Sequence, residues 1–161
     1  MSGLLYSATF EGFASAAQID FFEILAPTDA MVEVHEVHIG QELDAGDTEA
    51  ELLRYKIVKG IGTVTSGLGG ISAAIAKDDQ NQATQGSTVE AENTTKMLVG
   101  SGSLAIWHAD TFHVAAGLHY VPTPELRPKI APGNRLTVEL AKTPVDSLTW
   151  TGTIYFTEYS G

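Results

Sequence analysis

Residues 118–158 read LHYVPTPELRPKIAPGNRLTVELAKTPVDSLTWTGTIYFTE, and this stretch decides the fold. Leu136, Val138 and Leu140 alternate with Thr137 and Glu139. Leu148, Trp150, Ile154 and Phe156 share one parity, with Gly152 between them and threonines on the other. Alternation with a period of two residues marks a strand with one buried and one wet face. Between the strands, residues 122–132 hold four prolines in eleven positions, which dictates an extended, semi-rigid run and excludes a helix. Ala131-Pro-Gly-Asn134 is a turn, with Pro preset for its second position and Gly tolerating positive φ at its third.

The same signals recur upstream. Strand candidates fall around 5–13, 18–26, 30–40 and 49–59. In MVEVHEVHIG at 31–40, Val32 and Val34 share one face while Val37 and Ile39 share the other. Either both faces are covered, or a one-residue bulge near His35–Glu36 brings both pairs to one side. In 51–58, Leu53, Tyr55 and Ile57 oppose Leu52, Arg54, Lys56 and Val58, as in a strand buried on one face and partly covered on the other. Residues 62–103 are rich in Gly, Ser, Thr and Ala, with no helical period and short strands expected at 71–76 and 85–92. Connections this long within one domain are usually functional or flexible, and this one is read as reaching away from the core. About eight strands in two antiparallel layers follow, an all-β sandwich of jelly-roll type.

Composition narrows the function classes. A chain of 161 residues is most economically a single domain, 1–161. There is no cysteine, hence no disulfide, thiolate metal site or cysteine nucleophile. Twenty acidic against nine basic residues give a formal charge of −11, and the basic residues are dispersed. A polyanion needs clustered Lys and Arg, so nucleic-acid binding is not expected. The opening MSGLLYSATFEGF lacks the basic and apolar regions of a signal peptide, and no window is long and apolar enough for a membrane span.

Candidate chemistry is sparse. His35-Glu36-Val37-His38 spaces its histidines three apart, whereas zincin helices need four; in a regular strand the two point to opposite faces, and only a bulge brings them together. His108 and Asp110 lie two apart on one strand face, with His113 and His119 downstream, a spacing usable by a cupin-like metal enzyme. The glycine-flanked H-x-H cluster of such a site is missing. The acidic stretches Asp44–Asp47 with Glu49, and Asp78–Asn81, match no calcium-loop spacing and read as turns. Gly100–Ser103 is not a nucleophile elbow, and neither Gly60–Gly62 nor Gly67–Gly70 opens a helix to cradle phosphate. The Asn93–Thr95 sequon is uninformative on its own. Trp107, Trp150, Tyr120, Tyr155 and Tyr159 offer a stacking platform for sugars, against the ordinary role of sheet aromatics in packing. No catalytic, cofactor or metal residue is therefore assigned, and no enzyme activity is expected.

The tryptophan-bearing strand at 104, followed by YVPTPELRP, APGNRLTVEL and DSLTWTGTIYFTE, together with YSATFEGFASAAQIDFFEILAPTDA near the start, resembles small virion proteins of tailed bacteriophages. The resemblance implies an all-β structural subunit that self-associates, often as a trimer, and decorates or cements the capsid surface against other virion proteins. It implies no catalytic residues. Few lysines guard strand edges, which fits edges covered by a neighbouring subunit. Residues 1–8, with Leu4, Leu5 and Tyr6, are expected to be an arm docking on a neighbour, as is the 62–103 excursion. A carbohydrate- or ligand-binding module of a host-recognition fibre is the first alternative, and the cupin-like enzyme the second.

Overall fold

A computed structural model describes residues 3–42 and 51–160. Among these, the alternating stretches become β1 (Gly3–Ser15), β2 (Asp20–Leu25), β3 (Ala30–Gln41), β4 (Leu52–Ile61), β5 (Ile71–Ser72), β6 (Ala74–Lys77), β7 (Thr88–Asn93), β8 (Ser103–His113), β9 (Leu118–Tyr120), β10 (Lys129–Ile130), β11 (Arg135–Leu140) and β12 (Leu148–Ser160). A short 3-10 turn at Pro124–Leu126 interrupts the proline-rich run. No helix among the described residues is long and apolar enough to cross a membrane.

The strands form two antiparallel sheets. One runs β10-β3-β12-β1-β6, with β9 also on β3, and the other runs β5-β7-β2-β11-β4-β8. The chain passes from one sheet to the other between most strands, so β1-β12-β3-β9 interleaves in sequence with β2-β11-β4-β8. The result is an all-β sandwich. Its inner faces meet in one core, where Trp150 packs edge to face on Phe21 with ring centroids 5.2 Å apart. Burial of each such side chain contributes roughly 1.5–3 kcal/mol. Gly152 stands in the β12 core row because no other residue fits: an added Cβ would lie 2.6 Å from Ile39 and 2.7 Å from Phe10.

The ambiguity at 31–40 is resolved by a bulge. Tyr155 pairs with Glu36 and Phe156 with Val34, leaving His35 as the extra residue. Val32, Val34, Val37 and Ile39 consequently all lie buried. The Ala131–Asn134 turn forms as expected, with Asn134 N donating to Ala131 O at 3.0 Å and Gly133 at φ 72°.

Two expectations need correction. Residues 3–8 are not a free arm: they are the first half of β1, paired with β12 on one side and, at Tyr6 to Ala8, with β6 on the other. Residues 1 and 2 lie outside the described residues. Nor does the 62–103 excursion reach away from the core. Its strands fall at 71–72, 74–77 and 88–93, and they join both sheets. Its two arms pair with each other at Thr65–Leu98 and Leu68–Thr95 and fold back on the second sheet. Three carboxylates fasten it. Glu23 accepts hydrogen bonds from Gly67 N, Ser66 Oγ and Asn93 Nδ2, and meets Arg135 at 2.6 Å. Asp20 accepts from Met97 N at 2.8 Å, and Glu158 from Gly86 N and Ser87 N.

This cover also overturns the simple two-face reading of β11. Thr137 is buried along with Leu136 and Val138, because its cross-strand row, Glu23-Thr137-Val58, lies beneath the excursion. Desolvation pushes Asp20 up to about 7, opposed by the Met97 amide and reinforced by Glu139 and Glu23.

Candidate functional site

The row that the excursion covers ends in a residue that it does not. Ile106 of β8 pairs with Val58, and it is 59% exposed. Among the described residues β8 pairs with β4 alone, so it is an edge strand. Ten of its eleven residues escape full burial, Leu104 and Trp107 among them. Ile57 pairs with His108 and Val58 with Ile106, which leaves Trp107 as the extra residue of a bulge.

Beside this edge lies a cleft of ≈ 340 Å³ lined by Tyr55, Trp107, His108, Asp110, Tyr120 and Leu126, among others. It sits where β8 of one sheet meets β9 and the proline-rich linker of the other. Trp107 Nε1 donates to Leu126 O at 3.1 Å and to Tyr120 Oη at 3.3 Å, and Tyr120 Oη in turn donates to Leu126 O at 3.2 Å. His108 Nε2 lies 3.1 Å from Tyr55 Oη, and its ring is 4.9 Å from that of Tyr120. Lys59 places its ammonium 4.1 Å from the Trp107 ring centroid, and burial lowers its pKa.

Electrostatics keep the two tyrosines protonated. Burial, then the Asp110 charge and Tyr120, push Tyr55 up to about 12, and burial raises Tyr120 as well. Tyr55 thus keeps its hydroxyl proton beside His108. The polar groups of the cleft satisfy one another and leave an aromatic wall with a half-exposed indole.

The histidines do not gather at one centre, although His119 lines the cleft with His108. His108 and Asp110 both line the cleft, but Asp110 Oδ1 accepts from Thr111 N at 2.7 Å while His108 turns to Tyr55. His113 Nδ1 accepts from Ala115 N at 3.1 Å in the following turn. The β3 bulge does not unite His35 with His38. His35 Nε2 meets Thr157 Oγ1 at 2.7 Å, and burial together with the Arg127 charge lowers its pKa. His38 meets His119 across the β3–β9 pair, Nδ1 to Nδ1 at 3.0 Å, with Glu36 at 2.9 Å from its other nitrogen. Among the described residues no three His, Asp or Glu side chains converge where they could hold a metal ion.

The remaining candidates are also placed. Asp79 caps its own turn, its Oδ1 accepting from Asn81 N at 2.8 Å. The acidic stretch at 44–47 and Glu49 lie outside the described residues. The five aromatics do not form one platform: Trp150 is in the core, Tyr155 and Tyr159 are on β12, and only Trp107 and Tyr120 share the cleft. Sequence reasoning missed the edge itself. The one available signal was the absence of Lys, Arg and Pro over 103–113, an unguarded strand. Compared with known proteins, the chain matches no family model, no curated protein and no solved structure.

Proposed function

We propose that this chain is a structural subunit of a tailed-bacteriophage particle, a self-associating protein of the capsid decoration or cement type that acts without catalysis. The interleaved strand order is read here as a jelly roll, in keeping with that role. The observation that carries the proposal is β8: an eleven-residue edge strand that exposes Leu104, Ile106 and Trp107 and is the longest of the strands that end either sheet among the described residues. Monomeric proteins guard or cover such edges, so an open one fits a protein that finishes its fold against a neighbour. The charge of −11 fits an outer location away from packaged nucleic acid.

A second reading, a carbohydrate- or ligand-binding module, is favoured by the half-exposed Trp107 at the cleft. The cupin-like enzyme has less support, since His108 and Asp110 turn to different partners.

Light scattering on untagged protein, with and without a chelator, tests the proposal. A mass above the monomer, unchanged by chelation, is expected, followed by binding to undecorated capsids. A monomer at every concentration that also fails to bind capsids overturns it, and glycan binding by that monomer would establish the second reading.

A further inference from the structure

The strands that end each sheet differ in length. β5, β6, β9 and β10 present two, four, three and two residues, whereas β8 presents eleven. We propose that β8 is the edge through which two copies of this chain pair, antiparallel and about a two-fold axis. The inference rests on the self-association put forward above and names its surface and symmetry.

The argument for a second copy is one of geometry and charge. Unpaired backbone groups on an edge strand are satisfied by another strand. Among the described residues β8 is the longest of the strands that end a sheet, and a second copy offers the same strand in return, so the contact is isologous and closes as a pair. Two molecules that each carry −11 repel, and they approach best where neither presents a carboxylate. The segment Ser103–Ala109 holds no acidic residue, and Lys56 and Lys59 of β4 lie directly opposite Ala109 and Ala105. Asp110 marks the end of the open stretch, since its carboxylate already takes the Thr111 amide.

With Ile106 facing Ile106 of the second copy, Leu104 lies on the same face, and the bulge residue Trp107 flanks the pairing on its other side. Like charges meet nowhere along the ladder. Seven residues span roughly 24 Å, so backbone pairing by itself falls short of the roughly 800 Å² per partner of a standard interface. The side chains of Leu104, Ile106, Trp107 and Ile61 extend it, all of them exposed. The pair is therefore concentration-dependent, forming readily where subunits are held close together.

The test is sedimentation equilibrium from micromolar to millimolar protein for the natural chain, Ile106→Lys, Ala105→Pro and Leu98→Lys. Leu98 is equally exposed but lies on the excursion. A monomer–dimer equilibrium weakened at least about tenfold by the two β8 variants and unchanged by Leu98→Lys is expected. In the natural dimer, amide exchange should slow over Ser103–Ala109. An oligomer that survives both β8 variants, or a trimer, overturns this interface while self-association stands. A monomer throughout overturns both the pairing and self-association in solution, and leaves the edge to a strand from another protein.

Discussion

β2 and β8 lie in one sheet, separated by β11 and β4, and they invert the usual relation between side chain and solvent. β2 carries Asp20 and Glu23 and is buried over five of its six residues. β8 carries Leu104, Ile106 and Trp107 and is exposed over nearly all of its length. The excursion between β4 and β8 explains the difference. It folds over β2 and β11, supplying backbone N–H groups to the two acids, and stops short of β8. Burial in this sheet thus follows the path of the connection and not the polarity of the strand. The acids are clasps for a long loop, and the apolar edge is what that loop leaves uncovered.

The strongest way to break this comparison is to remove a clasp. Glu23→Ala leaves Arg135 without its partner and the Gly67 amide without an acceptor. Breaking a buried ion pair from one side costs about 3–5 kcal/mol, so the denaturation midpoint should fall accordingly. Limited proteolysis should then cut within 62–70. Unchanged stability and protection would mean that Glu23 does not fasten the excursion.

Asp20 sharpens the comparison through pH. Its folded pKa of about 7 lies above the unfolded value near 3.8. Between those values the folded chain holds a proton that the unfolded chain has released, so stability falls as pH rises through this window. Asp20→Asn keeps an acceptor for the Met97 amide and removes the titration. Urea melts should show the natural chain losing stability between pH 4 and 7, on the order of 2–4 kcal/mol, while the variant stays flat. Parallel profiles would show that Asp20 is solvated and that the cover over β2 is open.

The smallest effect is expected at β8. Trp107→Ala removes a large aromatic, yet this side chain is half-exposed and its loss opens no core cavity. A cost of about 1 kcal/mol is expected from the lost bonds to Leu126 O and Tyr120 Oη, against about 3–5 kcal/mol for Phe22→Ala in β2. Thermal melts of both variants check the ratio. Equal costs would mean that β8 is as well packed as β2.

Much of the fold was legible because alternation and punctuation are local. That Val32, Val34, Val37 and Ile39 could share a side only through a bulge or a second cover is legible within ten residues of chain, while the choice of the bulge at His35 is made by pairing with Tyr155 and Phe156. The proline-rich run and the Pro132-Gly133 turn are likewise set by dihedral restrictions that need no partner. The candidate site was far less legible. Trp107 and Tyr120 are thirteen positions apart and meet through a hydrogen bond between opposite sheets. The pattern of β1, with Leu5, Tyr6, Phe10 and Phe13, suits a docking arm as well as a central strand, and only its pairing with β12 and β6 decides.

The sequence by itself determined the class of this protein. Period-two hydrophobicity, the six prolines and the turn glycines permit strands and little else, and the absence of cysteine removes disulfides and thiolate chemistry. Tertiary structure alone decided which outer faces stay wet. Whether Thr137 or Ile106 meets water depends on where a forty-residue connection lies, and that is fixed by contacts between residues far apart in the chain, such as Glu23 with Gly67 and Asp20 with Met97. Alternation sets the buried face of a strand such as β12, but whether its other face meets water is a property of the assembled sheet and its cover.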